Sequence, residues 1–342
     1  MRRSIPLVAV SCLALTAPAR AQSFEIVKVV DGVYAAIPKP GIPVGSNGAF
    51  VVNDDDVLVV DTHYRPSYAR ELMAEIKKIT PLPVRYVVNT HWHNDHTQGN
   101  EAYANAYPKG VEFLSHVNAR EDIAAKAIPS IKDSLTALPG QIADLEKRAA
   151  AASGDEATRL KTQVEQQKAY LTELKTIQIT MPTLTFDRSL ILHKKSRDIQ
   201  LLYFGRGHTR GDVVVYLPKE KVLIGGDLLT AGLPFPRDSY PAEWGETLAH
   251  VAKLDVAKVV PGHGRVKDGG KIVSDRSGFL RDLAAQVKAG GAAGKDAKTI
   301  QSTIDLAKWE ATFDLPAQGP PFRDRLTLFV ERALLESKGE LK

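Results

Sequence analysis

Three histidines and an aspartate fall within six positions, His91, His93, Asp95 and His96 of the stretch NTHWHNDHTQGN, in a chain of 342 residues with nine histidines. The cluster follows VRYVVNT (84–90), whose β-branched and aromatic residues predict a buried strand. It precedes TQGNEAYANAY, which reads as a helix. Neutral imidazole and carboxylate suit zinc and related divalent metals. Four such donors in so short a loop can face two adjacent metal positions. A fold that uses them must bring further donors to the same place. Chance clustering in a solvated loop predicts no such recurrence.

The recurrence is there. GRGHTRGD places His208 just after the strand-like IQLLYF, IGGD places Asp227 at the end of KVLI, and VVPGHG places His263 just after AKVV. Each donor follows an apolar strand and lies in a glycine-containing loop. Strands ending at one rim bring such loops together, which is how concave sites are commonly built on a rigid scaffold.

Around these motifs the chain begins as a β-meander. FEIVKVV and GVYAAI flank an Asp31-Gly32 turn, PKPGIPVGSNG (38–48) is a loop, and AFVVN and VLVVD flank Asp54-Asp55-Asp56. PSYARELMAEIKKIT (66–80) carries Leu72, Met73, Ile76 and Ile79 at helical spacing. Residues 118–178 differ. Leu138, Ile142, Leu145, Ala149 and Ala152, then Leu160, Val164, Gln167, Leu171 and Leu174, are heptad-spaced about SGDEAT and predict a helical hairpin inserted in the domain. It would pack on itself or on the domain, or serve as a lid or a dimer contact. Strands resume at 184 with TLTF, SLILHK, IQLLYF, VVVYLP and KVLIGGD. The proline-rich loop LPFPRDSYPAEW and the helical GETLAHVAKLD follow, and beyond 270 the chain reads as mostly helical.

Arg2 and Arg3, the apolar run SIPLVAVSCLALTAPA and the small-residue site at 19–21 describe a secretory signal peptide cut after Ala21. The apolar run is too short for a spanning helix. The reading is therefore a signal peptide (1–21), a domain over 22–270 and a helical extension over 271–342, with a periplasmic or secreted destination and no stable membrane insertion. Ala9-Val10-Ser11 before Cys12 matches a lipid-attachment site poorly. Cys12 is the sole cysteine, so the mature chain has neither disulfide nor thiolate ligand. Taking away Arg2, Arg3 and Arg20 lowers the net charge from +5 to +2. That leaves little electrostatic reason to expect nucleic acid as a partner. A small-molecule substrate is expected, and the oligomeric state is left open.

The ordered set H-x-H-x-D-H, G-H-T-x-G-D, G-G-D and P-G-H-G resembles the pattern of the metallo-β-lactamase superfamily, over roughly residues 25–268. The resemblance implies an α/β fold, a four-layer αβ/βα sandwich with a dinuclear site at one edge, here with the hairpin insertion and the helical tail added. It implies one metal on His91, His93 and His208, a second on Asp95, His96 and His263, and Asp227 bridging both together with a water or hydroxide. Asp95 would also orient the nucleophile. Two Zn2+ ions are the implied cofactors, with iron or manganese as alternatives. Two cations would lower the pKa of the shared water and polarise the bond attacked, and stabilise the developing anion.

The chain departs from the antibiotic-hydrolysing members, several of which carry cysteine at the position of Asp227 and a lysine shortly after. Here GGDLLTAGLPFP has neither. The implied activity is thus an exported hydrolase of a small ester, lactam, lactone or thioester, with β-lactam hydrolysis among the candidates. The alternative is an iron-dependent oxidoreductase of the sulfur dioxygenase type. The flavin-associated di-iron branch is disfavoured by His93 and by the lack of a flavodoxin-like segment. A metal-binding protein without catalysis is disfavoured by Asp95. Of the remaining residues, His63, Asp61 and Asp212 read as groups bracing the ligands. His116, His193 and His250 read as packed or surface residues. Arg237, Tyr240 and Trp244 either line the pocket or merely pack.

Overall fold

The computed structural model of the chain describes residues 22–108, 110–317 and 319–341. The signal-peptide reading of 1–21, with Cys12, falls outside the described residues.

The first sheet takes its strands in chain order: β1 (Phe24–Val30), β2 (Val33–Pro38), β3 (Gly48–Val52), β4 (Val57–Val60), β5 (Val84–Val88), β6 (Glu112–His116) and β7 (Leu184–Phe186). The first four form an antiparallel meander, and β4 to β7 run parallel. The second sheet contains β8 (Ser189–His193), β9 (Asp198–Leu202), β10 (Val214–Leu217), β11 (Val222–Gly226), β12 (Lys258–Pro261) and β13 (Lys267–Asp268), ordered β13-β12-β11-β10-β9-β8. Only β11 and β12 are parallel there.

Side chains alternate between faces along a strand, and that alternation sorts the apolar residues into three layers of core. Val51, Val60 and Val88 of the first sheet meet Leu201, Val215, Ile224 and Val260 of the second. On the outer face of the first sheet, Phe50, Val59 and Val87 pack on Leu72 and Ile76 of α1 (Pro66–Ile79). On the outer face of the second, Val214, Leu223 and Val259 are covered by helices from the C-terminal part of the chain. The result is a four-layer αβ/βα sandwich. β4 is buried at every position because it is covered on both faces. Ile79, expected on the apolar face of α1, is exposed at its last turn.

The expected helix after the histidine cluster is two short pieces, α2 (Asn94–Thr97) and α3 (Asn100–Ala106). They break at Gln98–Gly99, where Gly99 N donates to His63 O. Behind β6 the insertion comprises α4 (Val117–Asp122), a π-helical turn Ile123–Ala127, α5 (Ile128–Ala151) and α6 (Gly154–Leu174). Leu138, Ile142, Ala149, Leu160, Val164 and Leu174 are buried as the heptads predict. α5 starts well before Leu138 and passes through Pro139 without ending. The hairpin also docks on the domain. Tyr170 stacks on Tyr64 with ring centroids 4.4 Å apart, Arg65 Nη2 donates to Gln166 O at 2.6 Å, and Ser67 Oγ donates to Glu173 Oε1 at 2.7 Å.

The fourth layer consists of α7 (Pro241–Val251), α8 (Lys271–Ala292), α9 (Ala297–Thr303) and α10 (Thr327–Ser337). Trp244, Leu248, Phe279, Leu283, Phe329 and Val330 form its apolar face. Among the described residues no helix is long and apolar enough to cross a membrane.

Candidate metal centre

All seven expected donors meet at one edge of the sandwich. The loop after β5 brings His91, His93, Asp95 and His96. The loop after β9 brings His208, the end of β11 brings Asp227, and the loop after β12 brings His263. Their ligand atoms form three overlapping groups, His91/His93/His208, His91/His96/Asp227 and Asp95/His96/His263, with the atoms of each group within 4.8 Å of one another.

In the first group His93 Nδ1 lies 3.0 Å from His91 Nε2 and 2.9 Å from His208 Nε2. In the third, His263 Nε2 lies 3.4 Å from Asp95 Oδ2, and His96 Nε2 lies 3.6 Å from the same oxygen. Asp227, of the second group, faces donors of the first and the third. Its Oδ1 is 3.4 Å from His96 Nε2, and its Oδ2 is 3.5 Å from His208 Nε2 and 3.3 Å from His263 Nε2. The Asp95 side chain is 26% exposed and that of Asp227 8%, so Asp95 stands nearer the mouth.

The tautomers follow from the outer hydrogen bonds. Thr90 Oγ1 gives its one proton to Asp61 Oδ2, 2.8 Å away, so at His91 Nδ1, 3.1 Å away, it accepts. His91 Nε2 is then left with a lone pair aimed into the site. His93 Nε2 donates to Asp238 Oδ2 at 3.1 Å, freeing Nδ1. His96 Nδ1 donates to Asp61 Oδ2 at 2.7 Å. Ligating histidines need such outer partners to fix ring orientation. Asp61 also accepts from Thr90 N at 2.8 Å, and it holds all this from a left-handed backbone of φ +60°. Such strain persists where the surroundings over-determine it.

Burial pushes His91 well below its ordinary value, helped by the charges of His96, His93 and His208, and it brings His208 down to about 3. Both are therefore neutral, as ligands must be. Burial pulls His96 down too, but Asp95, Asp61 and Asp227 outweigh it and raise it well above the ordinary value. Asp227 and Asp95 raise His263 against the same pull. Despite burial, His263 and His96 hold Asp227 well below the usual carboxylate range.

The residues present fit a pair of divalent cations. His96 Nε2 and Asp227 Oδ1 are buried without a hydrogen-bond partner. Three imidazole nitrogens converge while the opposite nitrogens of His91 and His93 are committed elsewhere. The backbone is also cut close to the carboxylates. A Cβ on Gly262 would lie 2.0 Å from Asp227 Oδ1, and one on Gly45, at φ +92°, would lie 2.6 Å from Asp95 Cβ.

A family model described as the metallo-beta-lactamase superfamily matches residues 41–112 and 146–263, which together make up more than half of the chain and contain all seven donors. The chain belongs to the metallo-β-lactamase superfamily. The match passes over 113–145, where the insertion opens, and ends before α8. Among superfamily relatives, "Metallo-beta-lactamase type 2" of Bacillus sp. (strain 170) is 25% identical over 239 residues, 68% of this chain and 72% of that protein. The protein of the same name from Elizabethkingia meningoseptica is 36% identical over 90 residues, 25% of this chain and only 36% of that protein. A solved metallo-beta-lactamase from Pontibacter korlensis shares the fold with a TM-score of 0.54 and 21% identity, covering 75% of this chain and 99% of that one.

Other expectations sort themselves around this superfamily site. Asp61 braces His96 and Thr90, as expected. Asp212 accepts from Thr209 N at 2.8 Å and Thr209 Oγ1 at 2.7 Å, stiffening the His208 loop, and burial raises it to about 7. His63 bonds Ser46 O beneath the site. His116 stands apart, bonded to Asn118 N and Asp187 O and stacked on Tyr203. His193 is exposed and pairs with Asp198. His250 lies on the exposed side of α7. Trp244 is buried edge-on to His208, with ring centroids 5.5 Å apart, and Tyr240 is buried beside it. Arg237 is exposed over Phe235.

Three residues were missed by sequence reasoning. Asp238 holds His93, Thr90 holds His91, and Asn47 clamps the His263 loop by donating from Nδ2 to Pro261 O at 2.8 Å and to Gly264 O at 2.7 Å. Asp238 sits between Arg237 and Tyr240, both singled out, but nothing local marks it as the one that turns inward.

Proposed function

We propose that the chain is an exported metal-dependent hydrolase of small molecules. In this reading His91, His93 and His208 hold one zinc ion, Asp95, His96 and His263 hold another, and Asp227 is shared. When bound, two such cations supply a nucleophilic hydroxide at neutral pH and Lewis-acid polarisation of the bond attacked. Asp95, nearer the mouth than Asp227, would orient the attacking oxygen by accepting its hydrogen bond. Thr90, Asp61 and Asp238 keep the ligand nitrogens pointed inward. Trp92, edge-on to His93 with ring centroids 4.5 Å apart and with Lys126 Nζ 5.2 Å above its ring, forms one wall beside the site.

The observation that carries this reading is the position of Asp227, whose carboxylate reaches both donor groups, with Oδ2 near His208 of one and His263 of the other and Oδ1 near His96. The substrate class is a cyclic or activated acyl compound: a lactam, lactone, ester or thioester. β-Lactams come first in the test because relatives bear that name. Export rests on the residues 1–21 pattern alone.

The test is hydrolysis of a chromogenic cephalosporin by the mature protein, with and without chelator, beside elemental analysis. Two zincs per chain and chelator-sensitive turnover of about 1–10³ s⁻¹ support the reading in its lactamase form. Two zincs without cephalosporin turnover keep the hydrolase and move the substrate to lactones, esters and thioesters. One iron per chain, or no metal at all, overturns it.

A further inference from the structure

The helices beyond residue 263 lie past the superfamily match, and one of them reaches back to the metal centre. Asp238, Ser239 and Tyr240 form a short bridge between two of the histidines. Asp238 accepts from His93 Nε2 at 3.1 Å, and Tyr240 N donates to Gly207 O at 2.8 Å, immediately before His208. The carbonyl between them, Ser239 O, accepts twice from Arg332 of α10, from Nη2 at 2.7 Å and from Nε at 3.1 Å.

The same helix closes the start of α7. Tyr240 at its N-cap makes no side-chain capping bond, and Pro241 at the first position has no N–H. The next two N–H groups, of Ala242 and Glu243, both donate to the carboxylate of Glu336, at 2.7 and 3.1 Å. A carboxylate there satisfies groups that a helix cannot pair internally and complements its dipole. One turn on, Phe329 of α10 packs on Trp244, with ring centroids 6.4 Å apart, and Trp244 in turn packs on His208.

We propose that α10 is a positioning element for the His91/His93/His208 group, with Arg332 and Glu336 as its positioning residues: they fix the Asp238–Glu243 segment, which sets the ring of His93 and the loop of His208. This rests on the reading of that group as a metal site. The helix thereby ties metal affinity at one of the two positions to the docking of the C-terminal extension. The Asp95/His96/His263 group has a brace of its own in Asn47, shares Asp61 with His91 through Thr90, and receives none of these contacts from α10.

The experiment is a two-site metal titration of the full mature chain against a competing chelator, with cobalt(II) absorption spectra and thermal unfolding of the metal-free protein. Arg332→Ala weakens one of the two sites about 10-fold or more, the size usual for loss of an outer partner, and alters the cobalt spectrum. Arg332→Lys, which keeps the charge and one donor, recovers part of the loss. Leu335→Ala, on the exposed side of the same helix, changes neither site. Glu336→Gln keeps one good acceptor, so it supplies a milder second arm if Arg332→Ala does not fold; it weakens the same site. Asp238→Ala, which removes the acceptor of His93 Nε2, identifies which of the two sites is affected. Arg332→Ala and Glu336→Gln proteins that bind both ions with wild-type affinity overturn the proposal, whatever Asp238→Ala does. So does an equal weakening of both sites. A wild-type chain that binds no metal instead overturns the functional reading beneath it.

Discussion

The most discriminating substitution in the site is Asp61→Asn, because it is nearly isosteric and suits the left-handed backbone, where asparagine is well tolerated. Asp61 accepts three hydrogen bonds: Thr90 N on Oδ1, and Thr90 Oγ1 and His96 Nδ1 on Oδ2. An amide has one oxygen for these two directions. With its oxygen towards Thr90 N, its NH2 faces His96 Nδ1, which must become an acceptor and so move its proton to Nε2, the atom aimed into the site. Turned the other way, the NH2 opposes the buried Thr90 N–H, leaving two donors face to face. Losing an outer partner of a metal-bound histidine costs 10- to 100-fold in affinity, about 1.4–2.8 kcal/mol. The metal-free protein loses about 1–3 kcal/mol through the unmet donor. The assay is competition for zinc by a chromophoric chelator at neutral pH, with urea unfolding of the metal-free chain. Weakening of the ion on the Asp95/His96/His263 side is expected. Asp61→Asn protein that binds both ions as tightly as wild type would refute the tautomer reasoning.

Other expectations are as direct. Burial holds His63 down to about 3, from 6.5, so between those values the unfolded chain carries a proton that the folded one does not. Stability therefore falls as pH drops through that window, by up to about 1.4 kcal/mol per unit. His63→Asn flattens that fall in metal-free protein, and an unchanged slope in urea midpoints against pH would speak against it. Gly262→Ala puts a methyl against Asp227 Oδ1 and lowers metal affinity at least about 10-fold, with circular dichroism unchanged; full metal content would count against the fit described above. Arg65 is buried at the hairpin root, 3.7 Å from Glu173 Oε1 and over the rings of Tyr68 and Tyr170. Arg65→Ala costs about 2–3 kcal/mol, less than for a fully buried pair because Glu173 keeps Ser67 and some solvent, and it speeds proteolysis at the 152–154 turn. Unaltered cleavage would mean that the hairpin is held elsewhere.

What could be read from the sequence was what is local. Each metal-facing donor sits in a short motif behind an apolar strand, so strand and donor announce one another, and the heptads of α5 and α6 reveal a hairpin because its two helices bury residues against each other. The braces are different in kind. Asp238 and His93 are far apart in sequence, as are Asn47 and the His263 loop, and neither partner carries a pattern of its own. The first part of α5 continues the same spacing, Leu135 and Ile131 stepping back from Leu138 by three and then four, and these residues pack with Leu138 against Tyr64 and Tyr170. The C-terminal stretch reads as helical from composition, but its docking through Arg332 and Glu336 depends on backbone groups of α7 that only the folded chain presents. Ile79 was misplaced because the helical period says nothing about where a neighbouring layer ends.

The donors are divided between the two sheets, with the cluster from His91 to His96 on the first and His208, Asp227 and His263 on the second. Neither half of the chain can gather a full set. At a synthesis rate of about 5–20 residues per second, the first cluster precedes the last histidine by on the order of ten seconds, as a bare chelating peptide with no site to complete. A complete donor set therefore exists only once the two sheets have formed and closed on each other.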